Sequence, residues 1–439
     1  MKELFSKKKT IEKRLEVEVA LAYGLSKAKI IEDWVPKRLE ESMKEVTIER
    51  IDERDKELGH DIMALTVALA ENSGEAGKYV HLGATSYDIV DTAWSLIMRE
   101  ATRTIKEKLI KIIRTLITYT LNNEDIIMVG RTHGQHALPI TLGFKFANYV
   151  YELSRSLERL SDMEKRTIKG KIAGAVGTMA AWGDKGIEVE HETLKYLNLT
   201  PHKIATQIAP RDGFAEAIAV LAILGSQLDR FALEIRELMR PEIGEIAEGI
   251  GKKVGSSTMP QKRNPVTAEK ISGLAKVLRA QVIIALENIP LWHERDLTNS
   301  SSERFLISHS YLIMDEMLES TIKLLENLVI NPEKMRRNLL ITKGAIMTEN
   351  IMMKLVSKGI ARDKAHKILR EISKKAIAED ITIKEEILKD KRILKYLSQK
   401  EIDEALRPEK YLGQTERLIE RTIKFAEEVI NDQTNSSNI

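Results

Sequence analysis

From residue 214 to residue 238 the apolar side chains are spaced for a single purpose. Phe214, Ile218, Leu221, Leu224, Leu228, Phe231, Ile235 and Leu238 follow one another at steps of 4, 3, 3, 4, 3, 4 and 3. An α-helix of about 3.6 residues per turn keeps all of them on one stripe, whereas a strand would throw neighbours to opposite faces. A stripe this long has to be covered by other helices. Leu142, Phe146, Tyr149, Leu153, Leu157 and Leu160 repeat the pattern over 142–163, and Leu306, Ile313, Met317, Leu324 and Leu328 repeat it over 305–328. Residues 96–120 and 268–289 are further long helical candidates. Together these segments predict an all-α fold built on a long central helical bundle. Strand signals are scarce, with no run of alternating β-branched residues set off by hairpin turns.

Around this bundle the chain divides by texture. Residues 1–88 read as shorter helices in an N-terminal domain, 89–335 as the bundle, and 336–430 as a C-terminal domain of short, charge-rich helical pieces. The last stretch, 431–439 (NDQTNSSNI), reads as a disordered tail. No internal repeat is visible. With 69 basic and 66 acidic residues the net charge is only +3, so there is no one-signed footprint for nucleic acid. The basic cluster SKKKTIEKR at 6–14 reads as a solvated helix face. The chain has no cysteine, which excludes disulfides and thiolate metal sites and fits a reducing compartment. The opening residues carry no signal-peptide-like apolar run, and no uncharged apolar stretch is long enough to span a membrane. A soluble cytoplasmic protein is the expectation.

Four polar loops interrupt the apolar helices. They are HLGATSYD at 81–88, GRTHGQHALP at 130–139, GSSTMPQKRNP at 255–265 and WHERDLTNSSSER at 292–304. None contains the GxxxxGK[ST] of a phosphate-binding P-loop, a GxGxxG between strand and helix, or a GxSxG nucleophile elbow. His133 and His136 stand three apart, but no acid–histidine set completes a metal site, so neither metal nor cofactor is expected. What remains is a set of donors, Thr85, Ser86, Lys262, Asn264 and loop amides, suited to binding an anion such as a carboxylate or phosphate. His133 and a loop serine could move protons beside it, which suggests acid–base elimination next to a carboxylate. The bland alternative is a capping or core histidine and a loop at 255–265 that merely connects helices.

GSSTMPQKRNP closely resembles the signature of the fumarase/aspartase superfamily, and GRTHGQ resembles its partner motif. Within that superfamily the chain is most similar to the adenylosuccinate lyase family. The likeness includes HDIMAL at 60–65, KYVHLGATSYDIVDTA at 78–93, GAVGT at 174–178, PLWHERDLTNSSSER and RPEKYLGQTERLIER at 407–421. Argininosuccinate lyases share the MPQK form of the loop, with Gln261, but differ where this chain reads HLGATSYD. Carboxymuconate cycloisomerases share the GATS-type loop but generally lack the histidine of RTHGQ. A helical scaffold without activity is the rival from another class.

The resemblance implies a tetramer with a 20-helix core, sites shared between chains, and a small-molecule nucleotide substrate split to release fumarate. It implies that Ser256 is the general base, His133 the general acid and Glu269 the residue that orients His133, while Lys262 and Asn264 stabilise the developing dianion. Thr85, Ser86, Thr132, Gln207 and Ser257 are expected to hold the succinyl and ribose portions. His60, Asp61, His81, Ser300 and Arg304 are expected at the phosphate end, with His293 and Arg295 open to an interface role instead.

Overall fold

The computed structural model describes residues 1–249, 259 and 261–436. Five long helices dominate it: Ser86–Asn122, Leu142–Thr167, Arg211–Leu238, Val266–Glu287 and Thr298–Glu326. The stripe on Arg211–Leu238 is buried throughout, with Ile218, Leu221, Leu224 and Leu228 at 0% exposure and its most accessible member, Phe214, at 9%. The Leu142–Thr167 stripe is likewise buried. On Thr298–Glu326 the buried line runs through Ile307, Tyr311, Met314 and Leu318 as well as Leu306 and Met317, while Ile313 is half-buried. The expected Leu328 falls beyond that helix, in a short strand.

The described residues divide into two compact units, each assembled from three stretches of chain. The first comprises 1–109, 156–228 and 273–319, and the second 110–155, 229–272 and 320–439. In the first unit Ala215, Ile218, Ala285 and Leu306 form one apolar cluster, and Phe5 lies against the rings of Trp94 and Tyr311 at 6.3 and 5.9 Å. In the second unit the C-terminal helices bury a core of their own, drawn from Ile351, Leu355, Ile368, Leu369, Ile372, Ile387 and neighbours. Its three shortest helices, Ile383–Ile387, Lys391–Leu394 and Gln399–Ala405, start on side-chain caps, with full capping boxes at Thr382–Glu385 and Ser398–Glu401. The last helix, Thr415–Ser436, carries on into the polar stretch expected as a tail.

The second unit also contains β structure that the sequence did not announce. Ile127–Thr132 pairs antiparallel with Gln135–Thr141, and Ile246–Glu248 pairs with Leu328–Ile330. The first pair is a hairpin closed by Thr132 opposite Gln135, so His133 and Gly134 form a two-residue turn. Both have left-handed backbone, at φ 54 and 72°, as a turn matching the right-handed twist of a hairpin requires.

The basic run at 6–14 departs from the expected solvated face. Lys13 is 9% exposed and is clasped by Glu100 at 2.7 Å and Glu16 at 3.0 Å. Arg14 is paired with Asp61 at 3.1 Å. Acidic partners distant in sequence pull both side chains inward.

Candidate active site

In the first unit, a cavity of about 510 Å³ is walled by side chains from five separate stretches of chain. His60, Asp61, Thr85, Ser86, Gln207, Ser300 and Arg304, all expected as substrate contacts, line it together. His60 caps the helix Asp61–Ser73, its Nδ1 accepting from the Met63 amide at 3.3 Å. Thr85 immediately precedes the helix Ser86–Asn122, and its amide donates to Asp88 Oδ2 at 2.7 Å. That carboxylate is itself fixed. Its Oδ1 accepts from Lys171 Nζ at 2.6 Å and from the Ala173 amide at 2.7 Å, and both Asp88 and Lys171 have fully buried side chains. The Thr85–Ser86 corner is thus anchored on an ion pair that water does not reach.

Arg295 belongs to the same wall. Its guanidinium lies on the face of Tyr87, 3.6 Å from the ring centroid, and Nη1 donates to Gln207 Oε1 at 3.1 Å. Its Nε and Nη2 are buried without a hydrogen-bond partner. A cation stacked on an aromatic ring with open donors is well suited to a planar or tetrahedral anion. Tyr87 also donates its hydroxyl to Ser300 Oγ at 3.1 Å. Behind them Arg211 forks onto Asp91 with two 2.9 Å bonds and approaches Glu303 at 2.8 Å. Burial raises the Glu303 carboxyl to about 6 against the pull of Arg211, with Asp91 adding to the rise.

His81 stands apart from the cavity lining. Its Nδ1 lies 2.7 Å from Oε1 of the buried Glu18, whose Oε2 has no partner. Burial alone would lower the His81 pKa, but the charge and hydrogen bond of Glu18, with Asp88 beyond, raise it above the ordinary value.

The other expected residues lie in the second unit. Thr132 and His133 are exposed at the hairpin tip. Below them Arg131 makes a two-pronged bond to the buried Glu245 at 2.8 and 2.7 Å, and Asn338 donates to the same carboxylate at 2.8 Å. His136, next to this pair, is lowered by burial and by the Arg131 charge. Lys262 and Glu269 are exposed and Asn264 is half-buried. Glu248 accepts from the amides of Thr267 and Ala268 at 3.0 and 3.2 Å, capping the helix Val266–Glu287 just beyond Asn264. Ser256 and Ser257 lie outside the described residues.

A family model described as lyase matches residues 1–279, and one described as adenylosuccinate lyase C-terminus matches residues 344–422. The chain is 44% identical over 432 residues to the adenylosuccinate lyase of Pyrococcus horikoshii, covering 98% of this chain and 96% of that protein. It is 43% identical over 432 residues to that of Methanothermobacter thermautotrophicus, covering 97% and 96%. The chain belongs to the adenylosuccinate lyase family. Among solved structures, a fumarate lyase from Mesorhizobium sp. BNC1 matches with a TM-score of 0.89 at 29% identity, covering 96% of this chain and 97% of that one. A 3-carboxy-cis,cis-muconate lactonizing enzyme from Pseudomonas putida matches at 0.88 and 29%, covering 98% and 97%.

For a member of the adenylosuccinate lyase family the cavity supplies what an anionic nucleotide needs: guanidinium groups, hydroxyls and an aromatic surface. Among the described residues no cluster of three or more His, Cys, Asp or Glu could hold a metal ion, and no helix is long and apolar enough to cross a membrane. Sequence reasoning passed over Arg14, Tyr87 and Trp94 on the cavity wall and left Arg295 as a candidate for an interface. The cue for Arg295 was its place in WHERDLTNSSSER, three to seven residues before the hydroxyls of Thr298, Ser300, Ser301 and Ser302. Arg14 ends the basic run at 6–14, whose composition alone reads as a solvated helix face.

Proposed function

We propose that this chain eliminates fumarate from adenylosuccinate to give AMP, and splits the succinylated aminoimidazole carboxamide ribonucleotide in the same site. In this reading Ser256 removes the proton from the succinyl carbon next to the one that bears the departing nitrogen. The electron pair left behind is held as a dianionic aci-carboxylate by Lys262, Asn264 and loop amides. Collapse of that species breaks the carbon–nitrogen bond and forms the fumarate double bond. His133, oriented by Glu269, delivers a proton to the leaving nitrogen. A preorganised donor at the developing anion is typically worth about 3 kcal/mol. Thr85, Ser86, Thr132, Gln207, Ser257 and Arg295 grip the succinyl and ribose portions, while His60, Asp61, Ser300 and Arg304 hold the phosphate end. His81, which the family resemblance puts at the phosphate end, pairs with Glu18 and does not line the cavity.

The observation that carries this reading is the convergence of seven expected contact residues, from four stretches of sequence, on one cavity whose wall also includes Arg295. Assembly into a tetramer with sites shared between chains is part of the proposal. Its support is the apolar surface of the helix Val266–Glu287, where Val277, Ile283, Ile284 and Leu286 are 47, 66, 40 and 52% exposed. A cytoplasmic setting is proposed with it.

The test is to incubate the purified protein with adenylosuccinate and follow the purine absorbance together with fumarate release. Turnover that Ser256→Ala abolishes while substrate still binds is expected, because the hydroxyl acts mainly in the transition state. Folded wild-type protein that releases no fumarate would sink the reading.

A further inference from the structure

Arg14 lies where two cavities meet. The 510 Å³ cavity and a neighbouring one of about 460 Å³ share Arg14, Asp55, Asp61, Trp94 and Arg304 as wall residues, whereas Thr85, Ser86 and Gln207 line only the first. Arg14 comes from the helix Lys7–Lys27 and Arg304 from the helix Thr298–Glu326, yet both reach for one oxygen. Arg14 Nη1 is 3.1 Å from Asp61 Oδ2, and Arg304 Nη2 is 3.9 Å from the same atom. Asp61 cannot satisfy both. One carboxylate between two guanidinium groups leaves a net positive charge, and only Arg14 is within hydrogen-bond length. Among the described residues Asp61 is the one side chain to which Arg14 hydrogen-bonds, so most of its fork of donors is open to a ligand.

The remaining charges nearby do not cancel this. Asp52 is taken by Lys7 at 2.5 Å. Asp55 is exposed to solvent, where its charge is screened. The other oxygen of Asp61 accepts from the Ile62 amide at 2.9 Å, which fixes the carboxylate at the first turn of the Asp61–Ser73 helix with the amide ends facing the same region. The Arg14 side chain is 17% exposed, against 68% for Arg304. Arg14 is therefore the partly desolvated, pre-aimed member of the pair, and a bidentate bond to it gains more than one to a solvated surface arginine.

We propose that Arg14 recognises the phosphate of the nucleotide substrate. Arg14 and Arg304 close on the dianion from two helices, and Asp61 is the spacer that holds the two guanidinium groups apart while the site is empty. Arg14 then sets the preference for a nucleotide over the corresponding nucleoside. The proposal rests on the nucleotide reading given above.

Binding separates the two ideas. Titration calorimetry of AMP and adenosine against wild type and Arg14→Met reads phosphate recognition without any turnover. AMP binding is expected to weaken roughly 10- to 100-fold in Arg14→Met, the range for losing charged hydrogen bonds, while adenosine binding stays within about twofold and Arg14→Lys retains an intermediate preference. In turnover, KM for adenylosuccinate should rise by a similar factor with kcat little changed, and kcat/KM for the dephosphorylated substrate should not move. Equal losses for AMP and adenosine, or no loss for AMP, would overturn the role of Arg14 even if wild type turns over adenylosuccinate. Wild type that binds AMP through Arg14 but releases no fumarate would leave the phosphate site standing and remove the lyase reading. If Arg14→Met does not fold, Arg14→Lys and Arg14→Gln carry the same comparison.

Discussion

Asp88 and Lys171 should behave as one object. Both side chains are fully buried, their 2.6 Å contact is sealed from water, and the Asp88 carboxylate also takes the amides of Thr85, Ala173 and Gly174. Lys171→Met removes the ammonium but leaves the carboxylate its three amides, so the loss should sit at the low end for breaking a buried pair, about 3 kcal/mol. Asp88→Asn leaves an ammonium with only the Gly174 carbonyl at 3.1 Å and turns an amide group toward backbone donors, so about 4 kcal/mol is expected. The double variant has neither charge to desolvate. It should lose about 3 to 4 kcal/mol in all, not about 7, which gives a coupling of about 3 to 4 kcal/mol. Urea unfolding of the four proteins, followed by circular dichroism, measures the cycle.

A second readout belongs to Glu190, whose carboxyl is pushed up to about 7 by burial first and then by the Asp88 charge, with Lys171 opposing. A carboxyl raised in the folded state contributes stability that is fully present below its ordinary 4.5 and is lost as pH rises through about 7. Lys171→Met should move the end of that loss to higher pH, and Asp88→Asn should move it to lower pH. Losses that add within about 0.5 kcal/mol, with no movement of the Glu190 window, would refute the idea that this pair is the anchor of the Thr85–Ser86 corner.

His81 gives a pH effect of the same sign for a different reason. Because Glu18 holds its folded pKa above the ordinary 6.5, the stability it supplies is complete below 6.5 and fades as pH rises through the raised value. Thermal melting from acid to mildly alkaline pH should therefore show the gap between wild type and Glu18→Gln shrinking as pH rises, and a constant gap would count against the pairing. If sites are shared between chains, mixing inactive His133→Ala and Ser256→Ala proteins should restore part of the activity through hybrid sites. No recovery after demonstrated subunit exchange would argue for sites built within one chain.

Helices were legible because burial and period agree. The 214–238 stripe needed no tertiary information, since one register alone hides all of its apolar residues. Segment 305–328 was harder because LISHSYLIMDEMLESTIKLL carries apolar residues on most sides. Several stripes fit such a helix equally well, and packing chose the one through Tyr311 and Met314. The hairpin at 127–141 was hidden by its own chemistry. Its turn reads His-Gly rather than the Asn-Gly or Asp-Gly that signals a two-residue turn, and Pro139, opposite Val129, argues against a strand when read alone.

Backbone conformation was the part no residue pattern could give, and it bears on the site. Eight non-glycine residues among those described have positive φ, and three of them are His81, His133 and His293. Each sits in a different one of the polar loops singled out by sequence. Histidine tolerates this region better than β-branched residues do, but the conformation still has to be imposed by its surroundings. At His133 the imposing element is the antiparallel ladder that closes Thr132 on Gln135. At His81 it is the Glu18 contact together with the 81–88 corner pinned on Asp88. At His293 it is the tight turn in which Asp296 accepts from the Trp292 amide at 2.8 Å. A loop that merely joins two helices gains nothing from such a backbone, because a glycine or asparagine there would cost less. Rigid loops that aim a ring in one direction do gain from it, since a proton donor or a wall of a binding cavity works only if it is already in place when substrate arrives.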